Sequence, residues 1–138
     1  MTDGPDRTEP TQAKSVGESA AATPTRPTIS THVLDAEGGH PAEGVHVTLY
    51  KFGEDGKPIR MSQALTDADG RVRDLLDRPL LAGDYRLEFN LAGERAPGSG
   101  DDRFFRRLSV DLRISDTRRS YHVPLLLAPF AMTTYRGS

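Results

Sequence analysis

Two features of this 138-residue chain could do chemistry: four histidines, and an ending in which an apolar run over residues 121–127 passes through Ala128-Pro129 to Tyr135-Arg136-Gly137-Ser138. An imidazole titrates near neutral pH, so it can take or give a proton or ligate a metal. Zinc normally takes three protein ligands, at least two of them closely spaced. Here cysteine is absent and no third ligand accompanies His32 and His122, so neither a metal nor any other cofactor is expected. The lack of cysteine also removes disulfides, thiolate catalysis and iron–sulfur centres. The ending stands out because chain termini usually fray into polar residues. This one carries a tyrosine, an arginine and a free carboxylate on an apolar lead-in, as if built into the fold.

The elements that must position these groups are strands. From Thr28 onward the hydropathy pattern has a period of two, the mark of half-buried strands. Ile29, Thr31 and Val33 alternate with Ser30, His32 and Leu34, and Gly38-Gly39-His40-Pro41 reads as a turn. Further strands are expected around Val45-Val47-Leu49, over residues 59–66, over residues 71–75, around Tyr85-Leu87-Phe89, around Leu108-Val110-Leu112-Ile114, over residues 121–127 and over residues 132–136. Asp67-Ala68-Asp69-Gly70 is a strong turn signal, because Asp caps its own backbone and Gly tolerates positive φ. Residues 91–102 are Gly-rich and polar and read as a mobile loop with one short helical turn at most. The fold class is therefore all-β: an eight-stranded antiparallel two-sheet sandwich.

Residues 1–27 are Thr, Pro, Ala, Gly, Ser and scattered charge, too poor in large apolar side chains to offset the entropy of ordering. They read as a disordered polar extension ahead of one domain over residues 28–138. The extension holds no secretory-type apolar run and the chain no membrane-spanning stretch, so the expected compartment is the cytoplasm. A net charge of −2 speaks against partners bound by bulk positive charge, such as nucleic acid or an anionic membrane.

Strand phase assigns faces to the histidines. His32 is out of phase with Ile29, Thr31 and Val33, and His122 is out of phase with Tyr121, Val123, Leu125 and Leu127, so both should point to the outer face of their sheet. That face would also carry Leu34, Leu126 and Met132, which is more apolar than a solvated sheet needs and suggests association with another copy. Taken singly, each residue also has a plain surface reading. Outer-face histidines are commonly just solvated, as is expected of His40 and His46, and Arg71 after its turn could be a simple surface charge.

Taken together, four segments resemble the transthyretin-related 5-hydroxyisourate hydrolases: Ser30-Thr31-His32-Val33-Leu34-Asp35, Thr66-Asp67-Ala68-Asp69-Gly70-Arg71, Tyr121-His122-Val123-Pro124-Leu125-Leu126 and the terminal Tyr135-Arg136-Gly137-Ser138. The resemblance implies a homotetramer, a dimer of dimers whose outer sheet faces form a channel holding the active sites. It implies hydrolytic opening of the cyclic amide of 5-hydroxyisourate, on the route of urate degradation, without a metal. It makes His32, Arg71 and His122 the catalytic residues, with His32, Arg71, Tyr135 and Ser138 around the substrate. Arg136, on the opposite face from Tyr135, is expected to anchor the terminus. Two other readings stand beside it: a transthyretin-like binding protein for a small ligand, and a β-sandwich interaction module using the Arg-rich strand near residues 104–113.

Overall fold

The computed structural model describes residues 25–91 and 102–137. The expected extension and the glycine-rich loop over 92–101 lie outside the described residues, as does Ser138. Among the described residues nine strands follow one another: β1 (Ile29–Asp35), β2 (His40–Pro41), β3 (His46–Phe52), β4 (Pro58–Leu65), β5 (Arg71–Val72), β6 (Gly83–Asn90), β7 (Arg107–Ile114), β8 (Tyr121–Ala128) and β9 (Ala131–Thr134). One sheet runs β2-β1-β8-β9 with β5 also paired to β1, and the other runs β4-β3-β6-β7. This is the expected two-sheet sandwich.

The period-two pattern predicts which side chains fill the space between the sheets. Ile29 and Val33 of β1, Val47 and Leu49 of β3, Tyr85, Leu87 and Phe89 of β6, and Val123 and Leu125 of β8 are almost wholly excluded from solvent. Each large apolar side chain so buried is worth about 1.5–3 kcal/mol relative to exposure. Tyr85 keeps its polar end satisfied by donating its hydroxyl to the Leu81 carbonyl at 2.6 Å.

Three local expectations are corrected. The sandwich is not purely antiparallel: β1 and β8 run parallel, from Ile29 opposite Tyr121 to Asp35 opposite Leu127. The chain leaves the first sheet after β1, builds the second, and returns beside β1 in the same direction. Thr31 reinforces the seam by donating its buried hydroxyl to the Val123 carbonyl at 2.7 Å. His40-Pro41 is a short strand rather than only turn, pairing with Leu34 and Asp35. The strand expected over residues 71–75 stops at Val72. There the Asp74 carboxylate accepts from the Leu76 and Asp77 amides and from the Thr28 hydroxyl, so local side-chain bonds replace the ladder. Leu75 and Leu76 are instead buried as a plug under the sheet.

Gly70 fixes where β5 begins. The Asp67 carboxylate accepts from the Asp69 amide at 2.8 Å and the Arg71 amide at 3.0 Å, winding the turn tightly. Gly70 then adopts φ 77°, and its carbonyl accepts from the Val33 amide at 2.7 Å. A Cβ here would lie 2.3 Å from the Val33 carbonyl oxygen. Gly70→Ala should therefore cost about 3 kcal/mol, from left-handed backbone strain and the clash with β1. Thermal unfolding should show the midpoint falling by about 10 °C; an unchanged midpoint would contradict this account of the turn.

Candidate active site

Register places the chemistry-bearing residues on the outer face of the first sheet. Ser30, His32 and Leu34 alternate outward on β1 and share that face with His122, Pro124 and Leu126 of β8, because paired residues in a sheet point the same way. His32 lies opposite Pro124 on one side and opposite Arg71 on the other. Ser30 lies opposite His122. Beyond β8 the register Leu125 to Thr134 continues to a bridge between His122 and Gly137, which sets Tyr135 opposite Pro124. Thus one face gathers Arg71, His32, His122 and Tyr135 from four separate stretches of chain.

Each imidazole is oriented by a partner. His32 places Nε2 at 2.8 Å from the Asp69 carbonyl oxygen, and a carbonyl can only accept, so Nε2 carries the proton and Nδ1 keeps the lone pair of the neutral ring. His122 places Nδ1 at 2.9 Å from Ser30 Oγ, leaving Nε2 unengaged by that contact. Gly137 donates its amide to the His122 carbonyl at 2.7 Å. A Cβ on Gly137 would meet the His122 ring at 2.9 Å, so a side chain there would push the imidazole aside.

Electrostatics favour a neutral His122. Half-burial of the ring comes first, then the positive charge of Arg71, then His32, and all three hold its pKa below the usual histidine value. An imidazole held neutral keeps a basic nitrogen available at neutral pH. His122, Ser30, Arg71, Arg73 and Ser120 line a cleft of about 180 Å³. Among the described residues, no three His, Cys, Asp or Glu side chains come together with the geometry to hold a metal ion.

The outer-face assignment needs one correction. Met132 pairs with Leu127 and packs against the core, because the turn between β8 and β9 puts it in the inward phase. Leu34 and Leu126 are half-buried on the outer face as expected. Tyr135 stands 55% exposed beside the site, Arg136 is exposed, and Ser138 lies outside the described residues. His40 and His46 take no part: His40 is exposed, 3.7 Å from the Asp35 carboxylate, and His46 opens β3 in the other sheet. A larger groove of about 750 Å³, lined by Phe104, Phe105 and Phe130, contains none of the residues of the cleft. Sequence reasoning missed the roles of Ser30, Gly137 and Arg73. The signal for Ser30 and Arg73 was the same period of two, since each sits two residues from a residue already chosen.

Removing the Arg71 charge should raise the His122 pKa toward the ordinary value, because the larger of the charge effects that disfavour the imidazolium is gone. Proton NMR titration of the histidine ring signals in Arg71→Gln should show that upward shift, with the midpoint still lowered by burial. No shift, or a downward one, would mean that Arg71 does not face His122.

Comparisons with known proteins bear on the sandwich as a whole. Residues 29–137 match the family model described as the HIUase/Transthyretin family. A protein of Caulobacter vibrioides named 5-hydroxyisourate hydrolase is 38% identical over 115 residues, covering 80% of this chain and 97% of that one. Its namesake from Salmonella dublin is 40% identical over 111 residues, covering 80% of each chain. The structure of Klebsiella pneumoniae 5-hydroxyisourate hydrolase superposes with a TM-score of 0.68 at 38% identity, covering 81% of this chain and 99% of that one. Sea bream transthyretin in complex with thyroxine also reaches a TM-score of 0.68, at 28% identity, covering 79% of this chain and 93% of that one. With its whole sandwich matched and with relatives of similar extent at 38–40% identity, the chain belongs to the HIUase/transthyretin family.

Proposed function

We propose that this chain is a hydrolase that opens the cyclic amide of 5-hydroxyisourate in urate degradation, and that His32, Arg71 and His122 carry the reaction. The observation that supports it best is the gathering of two oriented imidazoles and a guanidinium on one half-buried face. The 38–40% identity to proteins named for that activity points the same way. A carrier of a small hydrophobic ligand has no use for a hydrogen-bonded imidazole held toward its neutral form beside a guanidinium.

The chemistry follows from what each group can do. When Ser30 Oγ accepts from His122 Nδ1–H, the His122 Nε2 lone pair is free to take a proton from water as the water oxygen adds to the ring carbonyl. Arg71 offers paired donors to the negative oxygen that develops there. With Nε2–H given to the Asp69 carbonyl, the neutral form of His32 presents Nδ1 as an acceptor, which suits that form to orienting the water. Collapse breaks the carbon–nitrogen bond, the ring nitrogen takes the proton held by His122, and the new carboxyl group releases its own proton to solvent. Tyr135 supplies a flat face at the edge of the site, and Ser138, outside the described residues, stands with it among the proposed substrate-binding residues.

The assembly is read from the same face. Leu34 and Leu126, half-buried on this face, leave more apolar surface than a solvated sheet requires, and packing copies face to face as a homotetramer, a dimer of dimers, would cover it. Light scattering of the full chain should give four times the monomer mass; a monomer at assay concentrations would remove the channel.

Generating 5-hydroxyisourate from urate and following its ultraviolet decay tests the reaction. The native chain should accelerate decay well above the spontaneous rate, and His122→Ala should lose about 10²- to 10⁴-fold in kcat. Decay no faster than the spontaneous rate with native protein would refute the enzyme. Saturable binding without decay would establish the carrier instead.

A further inference from the structure

We propose that Arg73 forms, beside Arg71, an anion subsite that holds the carboxylate created by ring opening. The proposal rests on the hydrolase reading and adds a second cation that the reading above does not use. Arg73 follows Arg71 by two residues, with Val72 between them buried in the core, so both arginines leave the end of β5 toward the outer face. Both line the cleft that contains Ser30, Ser120 and His122.

What separates Arg73 from other arginines is an unfilled donor. Its Nε is buried without a hydrogen-bond partner among the described residues, although the side chain as a whole is 29% exposed. Its recorded ion pair reaches the Asp69 carboxylate at 3.9 Å, beyond hydrogen-bond distance. By contrast, Arg26, Arg86 and Arg113 bond their carboxylates at 2.8, 2.7 and 2.8 Å. Nε itself is closed to solvent, so an anion in the cleft would meet the terminal amino groups of the partly exposed side chain, which, among the described residues, no carboxylate holds at hydrogen-bond distance.

The reaction supplies such an anion. The water oxygen becomes the second carboxylate oxygen, one water proton ends on the ring nitrogen, and the carboxyl proton leaves, so one negative charge appears where none was. A planar guanidinium holds a carboxylate through two parallel bonds. Arg73 thus acts on the product side, governing product affinity and release more than the first attack.

Orotate and uracil are stable flat ureido rings with and without a carboxylate, and they serve as probes. Calorimetric titration of the native full chain should show orotate binding at least about tenfold tighter than uracil. Arg73→Gln should abolish that preference while leaving uracil affinity unchanged, and Arg73→Lys should keep part of it. An orotate-to-uracil ratio that is equal in native and Arg73→Gln protein, or a native protein with no preference, would overturn the subsite. The titration does not depend on turnover, so failure of the hydrolase assay with a retained Arg73-dependent preference would sink the reaction and leave the subsite standing.

Discussion

The parallel, in-register seam between β1 and β8 is the constraint on which the site depends. It sets Ser30 against His122 and His32 against Pro124, so two histidines from opposite ends of the domain share one face. A slip of one residue would turn a histidine into the core and a buried aliphatic outward, at a cost of several kcal/mol. The seam is held against that slip by Ile29, Val33, Val123 and Leu125 beneath it and by the Thr31 hydroxyl across it. The packing of the core and the placing of both histidines therefore depend on the same register.

Around that seam the site is completed by short, strongly determined pieces of backbone. The Asp67–Gly70 turn is wound by one carboxylate accepting two amides, and it delivers the Asp69 carbonyl to His32 and Arg71 to the face. The return through β9 ends with Gly137 against the His122 ring. These contacts fix ring orientation and protonation together, because a partner that can only accept decides which nitrogen holds the proton. Burial and the neighbouring charge of Arg71 then hold the His122 imidazole toward its neutral form.

Much of this was legible in the residues themselves. A period of two is a strong signal when one face is packed, and it gave the outward direction of His32 and His122 without reference to any relative. It could not give the direction of β8, since alternation is the same in parallel and antiparallel strands. It misplaced Met132 because the tight β8–β9 turn decides the phase that follows. Its own residue pattern left Arg71 a surface charge and only the family resemblance singled it out, because the pairing of β5 with β1 that sets it opposite His32 is a long-range contact with no local trace. The end of β5 at Val72 was hidden for a related reason: Asp74 ends the strand through side-chain bonds to Thr28 and to two following amides.

The central claim is that His32 and His122 serve one chemical step on one face. A double-mutant cycle on 5-hydroxyisourate turnover tests it most directly, comparing His32→Ala, His122→Ala and the pair with the native chain. Groups acting as a unit are strongly non-additive, so the double variant should be about as slow as the slower single variant. Losses that multiply in full would show two independent contributions and contradict the shared site.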